Sequence, residues 1–207
     1  MNRAFFLDLD GTLLDSRNRI HRLFCELAAS TQLGFEEYWK LKREGAGQKA
    51  LLTGRLGFSE GAAERFMKRW LEAIEEDARL LEDSPYPGAL DLLQKLADAG
   101  EVYIVTGRQD PDKAERQAER FGWLPFLKGL LVTRRQMSKE ELIRSWAVPA
   151  AAGAIAGDSG EEILAGKALG IRTVAVSYGF NSSERLRAYG PDALVDRPGD
   201  IAPAMGA

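Results

Sequence analysis

Short apolar runs alternate with amphipathic segments over much of this 207-residue chain. Runs of this length that end in polar or turn-forming residues are typical of strands buried on both faces of a parallel sheet. The predicted strands are Ala4–Leu7, Val102–Val105, Gly129–Val132, Gly153–Ala156 and Thr173–Val176. The predicted helices between them include Ala89–Ala99, Pro111–Phe121 and one opened by the capping box Ser138-Lys139-Glu140-Glu141. This alternation predicts an α/β fold with a doubly wound, mainly five-stranded parallel sheet and a Rossmann-like core.

The pattern changes between residues 16 and 84, where apolar residues recur at helical spacing. The predicted helices there are 20–28, 35–44, 48–56 and 60–82. Successive helices without strands between them predict a small bundle. Ser84-Pro85-Tyr86-Pro87-Gly88 then returns the chain to the α/β pattern. We predict one domain of residues 1–15 and 85–207, and a small helical domain of residues 16–84 inserted after the first strand.

Composition and charge narrow the classes of function. The chain is 45% hydrophobic and 29% charged, as expected of a soluble globular protein. Its net charge of -3 gives no electrostatic footprint for nucleic acid. It contains no apolar run long enough to span a membrane, and it enters a strand without a leader, so we expect a cytoplasmic protein with no membrane partner. Oligomeric state stays open.

Two carboxylates follow the first predicted strand. Asp8 and Asp10 emerge at its carboxyl end, ahead of the turn residues Gly11 and Thr12. Open parallel sheets bind their ligands at this edge. Carboxylates this close repel each other, and both stay ionised at neutral pH only if a cation or strong hydrogen bonds offset the repulsion. An oxygen-only site with few protein ligands suits Mg²⁺, the predicted cofactor.

Later loops bring further polar groups to the same edge. Thr106 and Gly107 follow the second predicted strand, and Asp158 and Glu162 follow the fourth. Lys139 lies in the first turn of the helix that the capping box opens. Asp158 can complete the magnesium site, with Glu162 orienting it or its waters.

This set of groups fits phosphoryl transfer. Asp8 can act as the nucleophile and form an aspartyl-phosphate. Asp10 can protonate the leaving oxygen and then activate water. The Thr106 hydroxyl and the Gly107 amide can hold phosphate oxygens, and Lys139 can neutralise their charge.

The same residues resemble a known family. Asp8-Leu9-Asp10-Gly11-Thr12, then Thr106, Lys139 and Gly157-Asp158-Ser159-Gly160-Glu161-Glu162, look like the four motifs of the haloacid dehalogenase superfamily of phosphohydrolases. Two later segments resemble its phosphoglycolate phosphatase-like branch: Gly166–Thr173 and Ser177-Tyr178-Gly179. The resemblance implies that residues 16–84 are a helical cap, that Asp8 is the nucleophile and Asp10 the acid/base, and that the Asp10 backbone carbonyl joins Asp8 and Asp158 on Mg²⁺.

The chain departs from the family pattern at three points. Gly107-Arg108 follows Thr106, so Arg108 is predicted to act on the substrate or its phosphate. Lys139 lacks flanking prolines, and Lys128 is an alternative on the same segment; the capped position favours Lys139. Glu162 replaces the more usual Asp, which favours a role beside the metal ligands over direct ligation.

The family pattern leaves the choice of substrate to the cap. Basic residues flank the helix interruption Gly45-Ala46-Gly47, and we treat Arg43 and Lys49 as candidate selectors of an anionic substrate, against the alternative that they are solvated surface charges.

We predict a Mg²⁺-dependent phosphatase of a small phosphorylated metabolite, with 2-phosphoglycolate as the first candidate by resemblance. A phosphomutase of the same fold remains open. So does a phosphorylatable, non-enzymatic signalling or binding domain, although the insert after the first strand favours turnover. A dehalogenase is disfavoured because Asp10 and Asp158 would have no purpose.

Overall fold

The structure is a computed structural model that describes residues 3–146 and 153–207. Its strands are β1 (Arg3–Leu7), β2 (Leu14–Asp15), β3 (Ser84–Pro85), β4 (Gly100–Thr106), β5 (Gly129–Val132), β6 (Ala154–Gly157), β7 (Arg172–Val176) and β8 (Ala193–Val195). Its helices are α1 (Arg17–Ala28), α2 (Phe35–Arg43), α3 (Gln48–Arg55), α4 (Glu60–Ala73), α5 (Asp77–Leu80), α6 (Ala89–Ala99), α7 (Pro111–Arg120), α8 (Lys139–Ser145), α9 (Gly160–Leu169), α10 (Ser183–Ala188) and α11 (Ile201–Met205). None of the helices in these two ranges is both long and apolar enough to cross a membrane.

The main sheet has six parallel strands in the order β5-β4-β1-β6-β7-β8. From β1 the chain builds outward through β4 and β5 on one side, and then through β6, β7 and β8 on the other. The order therefore reverses at β1, and a crevice opens at the carboxyl ends of the strands where such a reversal occurs. The predicted α/β class and parallel sheet are confirmed.

Helices cover both faces of this sheet because β1 is apolar on both faces. Phe5 and Leu7 join one core cluster with residues of α6 and α11, while Ala4 and Phe6 join a second cluster with residues of α8 and α9. All four side chains are at most 1% exposed. β1 is therefore the central strand of the sheet and is held on every side.

The expected strand number was too low by one. The sixth strand, β8, is three residues long and only half-buried, and it pairs with β7 at the sheet edge. Its Ala-Leu-Val sequence is too short to show an alternation. Its place depends on tertiary contacts: Asp192, directly before β8, accepts hydrogen bonds from the Thr173 backbone N–H and hydroxyl, each at 2.8 Å.

The chain divides into two compact units, residues 1–15 with 85–207 and residues 16–84. Residues 1 and 2 lie outside the described ranges. The second unit is built of α1 to α5 around an aromatic core. The Phe24 ring centroid lies 4.9 Å from that of Tyr38 and 5.6 Å from that of Phe66. The Trp70 ring stacks on that of Phe66, with the ring centroids 5.9 Å apart.

The predicted helix over residues 60–82 is in fact two helices, α4 and α5, separated at Ile74–Glu76. Arg19 explains the break. Its guanidinium donates to the Ile74 backbone carbonyl at 2.8 Å, an acceptor that a continuous helix would use for its own ladder. The same side chain forms a buried ion pair with Asp83 at 2.8 Å. The helical pattern of the sequence contains no sign of this distant partner.

Truncation of β1 tests its central place. We expect Phe5→Ala to lower the free energy of unfolding by about 3–5 kcal/mol, because it leaves a cavity between sheet and helices. Leu164→Ala, at a side chain 56% exposed on α9, should change it by less than about 0.5 kcal/mol. Urea titration of both variants checks this, and equal effects would contradict the assignment of β1 as the core strand.

Candidate active site

The loop after β1 fixes two carboxylates at the carboxyl edge of the sheet. The Asp8 backbone N–H donates to the Ala156 carbonyl at 2.9 Å, so Asp8 is still held by the ladder to β6. The chain then turns tightly, with Gly11 at φ 88°. A Cβ at Gly11 would collide with the carboxylate of Asp158, so this position requires glycine for space as well as conformation. The backbone of the first loop thus lies directly against Asp158.

Lys139 connects Asp8 to the other side of the site. The capping box between Ser138 and Glu141 fixes the start of α8, and Lys139 is the first residue of that helix. Its Nζ donates to Asp8 Oδ1 at 2.5 Å and also to Glu162 Oε1, in surroundings that leave the side chain 3% exposed.

Lys128, the alternative lysine, lies near a different carboxylate. Lys128 has a side chain 62% exposed, and its Nζ is 3.8 Å from Glu101.

A second capping box holds the carboxylates after β6. Ser159 caps α9, and Glu162 Oε2 accepts from the Ser159 backbone N–H at 3.0 Å and from its hydroxyl at 2.7 Å. Glu162 therefore joins Ser159 to Lys139. Asp158 is held by the next loop: the Phe180 backbone N–H donates to its Oδ2 at 2.5 Å, and the Asn181 amide donates to its carbonyl at 2.9 Å.

Burial and mutual repulsion dominate the electrostatics of the site. Burial raises the pKa of Asp8 to about 7, although Lys139 acts in the opposite direction. Burial, with the neighbouring charges of Asp8 and Glu162, also raises the pKa of Asp158. Burial alone would lower the pKa of Lys139, but the two carboxylates beside it raise the pKa overall. One ammonium group therefore only partly balances the buried carboxylates.

These residues fit a divalent cation of the magnesium type. In the part of the chain that the structure describes, no group of three or more His, Cys, Asp and Glu side chains could hold a metal ion by itself. Mg²⁺ does not need such a cage, because it keeps several waters and takes one or two carboxylates. Asp8 and Asp158 offer oxygen ligands, and a cation beside them would stabilise the ionised carboxylates, which burial and neighbouring negative charges disfavour.

The predicted phosphate loop follows β4. Thr106 is 1% exposed, and its hydroxyl accepts from the Arg108 backbone N–H at 3.3 Å. Gly107 is exposed and lines an open cavity of about 610 Å³ together with Ser138, next to Lys139. The loop and the start of α8 therefore border the same open space.

Arg108 was predicted to act on the substrate or its phosphate, and in the structure its side chain contacts Asp10. Its guanidinium forms a two-pronged ion pair with Asp10, with Nε 2.6 Å from Oδ2 and Nη2 2.8 Å from Oδ1. Nη2 also donates to Gln117 Oε1 at 2.9 Å. The fork geometry of guanidinium matches a carboxylate, which explains the preference for Asp10.

Several contributors were not predicted. Gln117 lies on the buried stripe of α7 with Ala114 and Ala118, and a polar residue on such a stripe signals a buried partner. Phe180 and Asn181 directly follow the predicted Ser177-Tyr178-Gly179 segment, but a backbone N–H gives no sequence signal. Beside them, the Tyr178 hydroxyl donates to the Thr12 carbonyl at 2.7 Å.

The candidate selectors belong to the helical unit. Arg43 is the last residue of α2, and Lys49 lies in the first turn of α3. Lys49 Nζ is 2.6 Å from Glu60 Oε2 and 3.7 Å from Glu64 Oε1 in the same unit.

The fold and the site define an α/β enzyme with a carboxylate–lysine centre at the switch point of a parallel sheet. The chain belongs to the haloacid dehalogenase-like hydrolases, because the model of that family matches residues 2–170. The predicted family is thereby confirmed.

Similar proteins agree with this assignment. The chain is 25% identical to an N-acetylmuramic acid 6-phosphate phosphatase of Pseudomonas aeruginosa, over 96% of this chain and 92% of the relative. It is 28% identical to a phosphoglycolate phosphatase of Pseudomonas fluorescens, over 98% and 81%. A solved haloacid dehalogenase-like family hydrolase from Streptococcus pneumoniae has the same fold, with a TM-score of 0.78 at 22% identity over 97% and 96% of the two chains.

The raised pKa of Asp8 predicts that the site lowers the free energy of unfolding, and does so more at high pH than at low pH. The pKa of Asp8 in the folded state, about 7, exceeds the ordinary aspartate pKa of 3.8. The folded state therefore binds more protons than the unfolded state between these values, and stability falls as pH rises through this window. In EDTA we expect Asp8→Asn to raise the free energy of unfolding at pH 8 by about 1–3 kcal/mol, and to change it little at pH 4.

Urea titration at both pH values measures this difference. Asp98→Asn, at an exposed position on α6, is the matched control and should show no such pH-dependent gain. A loss of stability at pH 8 in Asp8→Asn would contradict the prediction, since it would mean that the ion pair with Lys139 outweighs burial.

Proposed function

We propose that this enzyme is a Mg²⁺-dependent phosphatase that hydrolyses a small-molecule phosphomonoester through an aspartyl-phosphate on Asp8. The observation that carries the proposal is the contact between Lys139 and Asp8, 2.5 Å apart, at the carboxyl end of the central strand. A carboxylate nucleophile beside a cation, with the second carboxylate of Asp10 in the same turn, supplies the parts that a two-step phosphoryl transfer requires.

In the first step, a carboxylate oxygen of Asp8 attacks phosphorus in line with the ester oxygen. The new bond joins Asp8 to phosphorus as the bond to the leaving oxygen breaks, and Asp10 gives its proton to that oxygen. In this proposal Lys139, Thr106 and the Gly107 backbone N–H hold the equatorial phosphate oxygens.

In the second step, water attacks the phosphorus of the aspartyl-phosphate. Asp10 takes the proton of that water, the bond between Asp8 and phosphorus breaks, and inorganic phosphate leaves. Mg²⁺, held by the carboxylates of Asp8 and Asp158 and the backbone carbonyl of Asp10, would neutralise charge on the transferring group. Glu162 contributes by fixing Lys139.

The names of the relatives suggest the class of substrate. Glycolate and muramic acid both carry a carboxyl group besides the phosphate that is removed. We therefore propose an acidic phosphomonoester, with 2-phosphoglycolate as the first candidate. In this proposal the helical unit is a cap that excludes water until the leaving group departs, and the enzyme acts in the cytoplasm on a metabolite.

Phosphate release from a panel of phosphomonoesters tests the reaction. We expect release that needs Mg²⁺, is abolished by EDTA, and falls on the order of 10⁴-fold in Asp8→Asn, because the nucleophile is lost. The exposed variant Asp98→Asn should keep the wild-type rate.

Other outcomes would identify the competing functions. Phosphate moved within a sugar phosphate without release would indicate a mutase. A stable phosphoprotein formed from acetyl phosphate, with no ester turned over, would indicate a signalling domain.

The two cap cations make a second prediction. If Arg43 or Lys49 recognises the carboxyl group of the substrate, replacing it with Ala should lower kcat/KM for 2-phosphoglycolate about 10-fold relative to an uncharged phosphomonoester, because one charged hydrogen bond is lost. Lys68→Ala, an exposed cation on α4, is the matched control. An unchanged ratio between the two esters in both variants would remove these residues as selectors.

A further inference from the structure

We propose that Arg108 is a positioning residue for Asp10, and that Gln117 in turn positions Arg108. This inference rests on the proposed phosphatase reaction, in which Asp10 exchanges protons with the leaving oxygen and with water. It gives Arg108 a role other than the predicted contact with the substrate or its phosphate, and it extends the site to a helix that none of the four motifs includes.

The geometry carries the first half of the argument. Arg108 meets Asp10 through two hydrogen bonds of 2.6 and 2.8 Å, one to each carboxylate oxygen. Two parallel bonds fix both the distance and the plane of a carboxylate, whereas one bond leaves it free to rotate. Each oxygen has a second lone pair, so the pair leaves Asp10 able to hold and exchange a proton.

The different burial of the three side chains supports the second half of the argument. Arg108 and Gln117 are each 4% exposed, while the Asp10 side chain is 21% exposed. The guanidinium therefore lies behind the carboxylate, and Asp10 is the member of the pair that reaches solvent. Gln117 Oε1 accepts from Arg108 Nη2 at 2.9 Å, so the buried side of the fork is also held.

The topology explains why this support is needed. Asp10 lies in the loop after β1, and Arg108 lies in the loop after the neighbouring strand β4. The ion pair joins the two loops, and Gln117 anchors the pair to α7. Small displacements of a group that transfers protons lower the reaction rate strongly, so a rigid support is a reasonable role for a buried arginine.

Leaving-group dependence separates positioning from phosphate binding. An alkyl ester needs a proton on its leaving oxygen, whereas p-nitrophenyl phosphate does not. In Arg108→Met we expect kcat/KM for the alkyl ester to fall on the order of 10²-fold or more, and that for p-nitrophenyl phosphate by less than about 10-fold. Competitive inhibition by inorganic phosphate should be unchanged. Equal losses on both esters, or weakened phosphate inhibition, would overturn the proposal.

Three further variants distinguish a loss of positioning from a general loss of structure. Arg108→Lys keeps the charge without the fork, and Gln117→Leu removes only the second support. Both should show the same preference for the aryl ester, to a smaller degree than Arg108→Met. Arg116→Lys, an exposed arginine on the same helix as Gln117, should behave as wild type. Circular dichroism and thermal melting establish that each variant is folded.

Crystal structures of wild type and Arg108→Lys give a readout that does not depend on turnover. The proposal expects the Asp10 carboxylate to change its rotamer or to lose a single orientation in the variant. An Asp10 carboxylate that keeps its position would overturn the proposal even if the enzyme is a phosphatase. Failure of wild type to release phosphate from any ester would instead overturn the proposed function, while the Asp10 position would still decide the role of Arg108.

Discussion

The contact of Lys139 with two buried carboxylates is the constraint on which the rest of the site depends. Asp8 and Glu162 come from different strand ends, and the ammonium group between them is the near neighbour that offsets their charge. A buried charge without a partner is far more costly than an exposed one. The fold must therefore bring α8 to the sheet edge in one register, and the capping box at Ser138 sets that register.

Charge balance and topology support each other. β1 lies where the strand order reverses, so its carboxyl end faces a crevice that neighbouring loops can fill. The loops after β1 and β6 then approach so closely that Gly11 has no room for a side chain beside Asp158. Burial at this edge of the sheet, together with the neighbouring negative charges, raises the pKa values of Asp8 and Asp158. Burial of these carboxylates therefore lowers the stability of the fold at neutral pH, and the proposed Mg²⁺ would offset that cost.

Much of the fold and of the candidate site could be predicted from the sequence, because the sequence patterns that indicate them involve residues close together along the chain. Four apolar residues before Asp8, and Ser-x-x-Glu before α8, each report a strand end or a helix start through neighbours along the chain. The features that were missed depend on partners far away in sequence. The break after α4 follows from Arg19, and β8 is held through Asp192 and Thr173.

The two buried cations, Lys139 and Arg108, pair with different carboxylates, and the shape of each cation suits its partner. Lysine is a compact charge with donors that can rotate, and Lys139 donates hydrogen bonds to two carboxylates. Arginine is a planar fork, and Arg108 fixes the plane of the Asp10 carboxylate. In the proposed reaction, the nucleophile Asp8 changes its bonding partners, which suits the first cation, whereas the proton-transfer group Asp10 keeps its direction, which suits the second. Lys139 with Asp8 and Arg108 with Asp10 therefore each match a cation to the proposed role of its carboxylate. Exchanging the two cations would not preserve this match.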